Sequence, residues 1–96
     1  MLKHIQVTLG AAATPAIAAK TPCVFAVAQP DDGNSNPVFF GGAGVTTATG
    51  LRLQNSATDP PRQTFGPFGQ PEAFNLAELF FVGTATEKVN ICYVEA

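Results

Sequence analysis

Apolar and polar residues alternate with a period of two near both ends of the chain. Ile5, Val7 and Leu9 are separated by Gln6 and Thr8, the pattern of a strand with one buried face. Val89-Asn90-Ile91-Cys92-Tyr93-Val94 repeats that alternation strictly. Cys23 to Ala28 is apolar at every position, as befits a central strand covered on both faces. Val38-Phe39-Phe40 and Leu79-Phe80-Phe81-Val82 are shorter buried runs, while Leu51-Arg52-Leu53 and Ala73-Phe74-Asn75-Leu76 alternate. Gly10 to Ala19 is rich in alanine, but Gly10, Thr14 and Pro15 deny it a useful helix, so it reads as extended. Gln29 to Pro37 has loop composition, and Gly41-Gly42-Ala43-Gly44 turns the chain before the β-branched, polar Val45 to Thr49. Gly83 to Lys88 is a connection of hairpin length, which makes Leu79–Val82 and Val89–Val94 expected antiparallel neighbours. Short strands with turns between them predict one all-β domain over residues 1–96, an antiparallel sandwich or barrel.

Composition sharpens this picture by what it leaves out. Charged residues are only 12% of the 96, about half the usual ~25%, which suggests that neighbouring subunits cover part of the surface. Five Lys and Arg against seven Asp and Glu give no basic face for nucleic acid. No run approaches the ~20 apolar residues that span a bilayer, so no membrane partner is expected. The N-terminal residues carry Gln6, Thr8 and Gly10, polar interruptions that favour a strand over a signal peptide. Cys23 and Cys92 lie in apolar runs and read as reduced, small hydrophobes.

Candidate chemistry is sparse. Gly41 to Gly50 lacks both the third glycine of a dinucleotide loop and the Lys-Ser/Thr of a phosphate loop. Asp31-Asp32-Gly33-Asn34 has clustered oxygens without the ligand spacing of a calcium loop, and a turn explains it. His4 is the single histidine, with no acid or nucleophile beside it in sequence. Glu72, Glu78, Glu87 and Glu95 are scattered along the chain and read as a solvated face. No catalytic residue, metal or cofactor is expected.

Adjacent phenylalanines on a strand point to opposite faces, so Phe39-Phe40 and Phe80-Phe81 each place one ring in the core and leave one to be covered. Phe39 and Phe81 are candidate subunit-facing rings. Gln54 to Pro71 holds four of the eight prolines together with Phe65 and Phe68, and reads as a single long loop. Phe65 and Phe68 are candidate anchors for a subunit or capsid contact, with Arg62 as a polar neighbour. The competing reading folds both rings back as a lid over their own domain.

Two stretches together resemble small structural proteins of tailed bacteriophages. They are Pro37 to Leu53, with Phe40-Gly41-Gly42 and Gly44-Val45 followed by Thr49-Gly50-Leu51, and Asn75 to Ile91, with Leu79-Phe80-Phe81-Val82-Gly83-Thr84-Ala85. The resemblance implies a jelly-roll-like β-sandwich that acts as a capsid cement or decoration protein. It further implies a homotrimer bound to the major capsid protein on the virion surface, after assembly in the host cytoplasm. Head-fibre, neck or tail components are the alternatives within the virion, and a carbohydrate- or receptor-binding module is the alternative outside it. The Pro- and Phe-rich Gln54–Pro71 departs from the shorter polar link common in that family.

Overall fold

The computed structural model describes residues 2–10, 12–31, 33–34, 36–53, 63–67 and 73–96. The described strands are β1 (Leu2–Thr8), β2 (Thr14–Pro15), β3 (Pro22–Pro30), β4 (Val38–Gly41), β5 (Leu51–Leu53), β6 (Gln63–Phe65), β7 (Phe74–Asn75), β8 (Phe80–Val82) and β9 (Lys88–Glu95). One 3-10 turn covers Leu76–Glu78. Among the described residues the chain is all-β, and every strand pairing is antiparallel. One sheet runs β1-β9-β3-β6, with β7 also on β3; the other runs β2-β8-β4-β5.

Alternation becomes burial in β9. Val89, Ile91 and Tyr93 are buried, while Asn90, Cys92 and Val94 take the other face. Val7 of β1 and Ala26 and Ala28 of β3 join them on the inner face of the larger sheet. Val38 and Phe40 of β4, Leu53 of β5 and Phe81 of β8 complete the same cluster from the smaller sheet. Ala26 and Ala28 stand beside Tyr93 on the larger sheet and face Phe40 and Phe81 of the smaller one, so small and large side chains alternate across the core. Burying a side chain such as Phe81, which is 0% exposed, contributes roughly 1.5–3 kcal/mol.

The expected hairpin between the last two strands does not form. β8 pairs with β2 and β4, whereas β9 pairs with β1 and β3, so the Gly83–Glu87 connection crosses from one sheet to the other. Its turn is shaped by Thr86, at φ 73°, whose N–H donates to the Leu9 carbonyl at 2.9 Å. Connection length alone cannot distinguish a hairpin from such a crossing.

One further segment differs from expectation, and two others owe their shape to side-chain hydrogen bonds. Gln63–Phe65 lies inside the expected loop Gln54–Pro71, yet pairs with Ala26–Ala28 of β3. The β-branched Val45–Thr49 makes turns: the Thr46 N–H donates to Thr49 Oγ1 at 3.1 Å and the Ala48 N–H to Thr46 Oγ1 at 3.3 Å. Threonine hydroxyls here supply partners that a neighbouring strand would otherwise give. Asn34 does the reverse. Its side chain bonds the Lys88 carbonyl at 2.7 Å and accepts from the Lys88 N–H at 2.9 Å, so an amide stands in for a strand.

Candidate functional site

The outer face of the larger sheet mixes apolar and polar side chains. Its residues fall into rows because the cross-strand registers align. Leu2, Val94 and Phe25 form the first row; His4, Cys92, Val27 and Thr64 the second; Gln6, Asn90 and Gln29 the third. Leu2 is 67% exposed, and Val94, Phe25, Val27 and Cys92 are half-buried. The apolar rows thus face outward, where the sequence pattern expected β3 to be covered on both sides. β3 is central in its sheet, but only its inner face is covered by the described residues.

Amide chemistry fixes the third row. Gln6 Nε2 donates to Asn90 Oδ1 at 2.9 Å, and Asn90 Nδ2 donates to Asp31 Oδ1 at 3.0 Å. The second Asp31 oxygen, Oδ2, accepts the Gly33 N–H at 3.1 Å. The Asn90 amide, the Gly33 N–H and the charge of Lys88 hold the Asp31 carboxyl below the ordinary aspartate value. The Asn34 N–H also donates to the Asp31 carbonyl at 3.0 Å, so Asp31 holds both Gly33 and Asn34. A shallow depression of about 490 Å³ lies over the second and third rows, bordered by His4, Gln6, Val27, Gln29, Asn90 and Cys92.

Comparison with protein-family models, with curated proteins and with solved structures finds no match to the chain.

The candidate contact residues separate sharply in space. Phe81 is completely buried between the sheets and cannot serve as a subunit-facing ring. The outward member of that pair is Phe80, because β8 enters the core one residue later than expected. Phe39 does stand on the outer face of the smaller sheet, opposite Val82 and Arg52. Its covering comes partly from its own chain. Val45, only 9% exposed, folds back over this face from the Gly42–Gly50 turns. Close approach explains the flanking glycines: a Cβ on Gly50 would stand 2.8 Å from Val45 Cγ2 and 2.9 Å from Phe39 Cβ, and one on Gly41 would stand 2.9 Å from Val45 Cγ2.

Phe65 turns toward its own domain. Its ring packs against the core and meets those of Phe40 and Phe74. Phe68 and Arg62 lie outside the described residues. Cys23 is fully buried on the inner face and Cys92 sits on the outer one; both are free thiols. Burial pushes the Cys23 thiol up, partly offset by a backbone hydrogen bond at Phe25. Sequence reasoning missed Leu2, Phe25, Val27 and Val94 as a surface, although the unbroken apolar run of β3 carried the signal.

Among the described residues no three His, Cys, Asp or Glu side chains converge on a point that could hold a metal ion. No helix there is long and apolar enough to cross a membrane.

Proposed function

We propose that this chain is a structural protein of a tailed-phage virion, a cement or decoration protein of jelly-roll-like sandwich fold that binds the assembled head. One observation carries the reading. The two stretches that resemble such proteins, separated by 21 residues in sequence, lie side by side: Phe39, Phe40 and Gly41 pair with Val82, Phe81 and Phe80. Residues that carry a family's likeness are expected to build one shared piece of fold. Strand order supports the same reading. β1-β9-β3-β6 against β2-β8-β4-β5 interleaves early and late strands in both sheets, as two Greek keys do in a jelly roll. A cement protein also needs area rather than a deep pocket, and the rowed outer face of the larger sheet offers that.

Binding to heads assembled without this protein tests the proposal. Saturable attachment at many copies per particle, with the shell then resisting heat or chelation better, is the expected result. A few copies per particle would move the chain to a fibre, neck or tail position. Absence from purified particles, together with a defined glycan ligand, would replace the proposal with a carbohydrate-binding module.

A further inference from the structure

We infer that β1 is an interface strand through which two copies of this chain pair edge to edge, continuing the larger sheet across a twofold axis at Ile5. The argument starts from how the other sheet edges end. β7 has two residues, and β2 has two, one of them Pro15. Short edges and proline are two of the ways proteins blunt unpaired strands. β1 differs: it runs seven residues, pairs with β9 without a register shift, and among the described residues has no partner on its other side. A long, regular, open edge is a template for another strand.

Hydrogen-bond phase says which groups that edge offers. The Leu9 N–H donates to the Glu87 carbonyl at 2.7 Å, so the odd-numbered positions of this strand turn their main-chain groups toward β9. On the other side of β9, the Asp31 N–H donates to the Lys88 carbonyl at 3.0 Å, as the same phase requires. Leu2, His4, Gln6 and Thr8 therefore present N–H and C=O groups to the open edge. Twofold antiparallel pairing about Ile5 sets Leu2 against Thr8, and His4 against Gln6, of the other copy. That register joins even residues to even residues, as the free groups demand, and supplies roughly eight main-chain hydrogen bonds. It also keeps outward side chains with outward ones, so the rows of the outer face run on into the second copy.

Charge favours a second copy as the occupant. Lys3 is the one Lys or Arg of β1, and β1 has no Asp or Glu. Lys3 stands near one end and forms an ion pair with Glu95 of its own chain. Antiparallel pairing sends the two lysines to opposite ends, each across from Val7, with no like charges opposed. Ile5, half-buried at the margin of the core, meets its symmetry mate and loses its remaining exposure. Such an isologous contact closes at two copies, in place of the homotrimer implied by the resemblance. The pairing does not depend on the chain's being a virion protein.

Gln6→Pro tests it directly. The Gln6 N–H faces the open edge, where proline is tolerated within one chain but blocks pairing with another. Sedimentation should give a dimer for the wild type and for Gln6→Ala, which keeps the N–H, and a folded monomer for Gln6→Pro. Amide exchange of the wild type reads the same contact without a variant. The His4, Gln6 and Thr8 amides should exchange at least about tenfold more slowly at high than at low protein concentration. A wild-type monomer or trimer, or edge amides whose exchange ignores concentration, would overturn the inference. So would protection that appears only on adding phage heads, which would give the edge to a shell protein.

Discussion

The Phe40 and Phe65 rings meet edge to face, with centroids 5.6 Å apart and planes at 89°, and so join the two sheets. Phe40 belongs to β4 and Phe65 to β6, and Phe74 of β7 flanks the second ring at 6.1 Å. The geometry is the one that aromatic quadrupoles favour. Phe65→Ala should lower stability by about 2 kcal/mol, less than a fully buried phenylalanine would cost because Phe65 keeps some exposure. Chemical denaturation measures this. An unchanged midpoint would return Phe65 to the role of a projecting anchor.

Gly50 and Gly42 make a matched pair within the same turns. A Cβ at Gly50 collides with Val45, Phe39 and the Thr46 carbonyl, the last at 3.1 Å, whereas a Cβ at Gly42 meets nothing within 4 Å. Gly50→Ala should destabilise by roughly 1–3 kcal/mol through overpacking, and Gly42→Ala should leave the melting temperature nearly unchanged. Equal melting of the two variants would mean that Val45 does not pack on this face.

The thiols should respond to reagents unequally. Cys23 is fully buried with its thiol pushed up by burial, and Cys92 is half-buried on the outer face. One equivalent of a thiol-reactive dye should add to the native protein at Cys92, and a second only after denaturation. Peptide mapping that finds the native label on Cys23 would contradict its placement.

Asp31 should titrate below an ordinary aspartate, since Asn90, Gly33 and Lys88 all favour its charged form. A depressed folded value means that its contribution to stability is whole above the usual carboxylate range. That contribution fades as pH falls through the folded midpoint. Asn90→Ala removes the largest cause, so the Asp31 carboxyl signal should then titrate at higher pH. Carbon-detected NMR follows both proteins, and coincident titrations would mean that the amide does not hold the carboxylate.

Strand content was legible where one face is buried: Val89, Ile91 and Tyr93 alternate in sequence and in burial. The Phe39-Phe40 pair likewise puts one ring on each side of its strand. For Phe80-Phe81 the face was misread, because an apolar run of four gives no phase and only the register against β4 assigns Phe81 to the core. Pairing across the sheets was not legible either. Gly83 to Lys88 has hairpin length, and nothing local says that β9 will leave β8 for β1 and β3. β6 was hidden for a related reason: Gln63–Phe65 lies in proline-rich sequence and is strand through its pairing with β3, with Phe65 against the Phe40 ring. The outer face needed registers too, since Leu2, Val94 and Phe25 are far apart in sequence and share a row only after folding.

The place of β9 between β1 and β3 sets a timetable for the nascent chain. Thr8 pairs with Lys88 and Pro30 with Val89, so both neighbours are synthesised long before the strand that joins them. At ~5–20 residues per second, β1 and the apolar β3 wait several seconds on the ribosome without their shared partner. The larger sheet closes only when Lys88–Glu95 has emerged, and until then the apolar side chains of its inner face lack their partner strand.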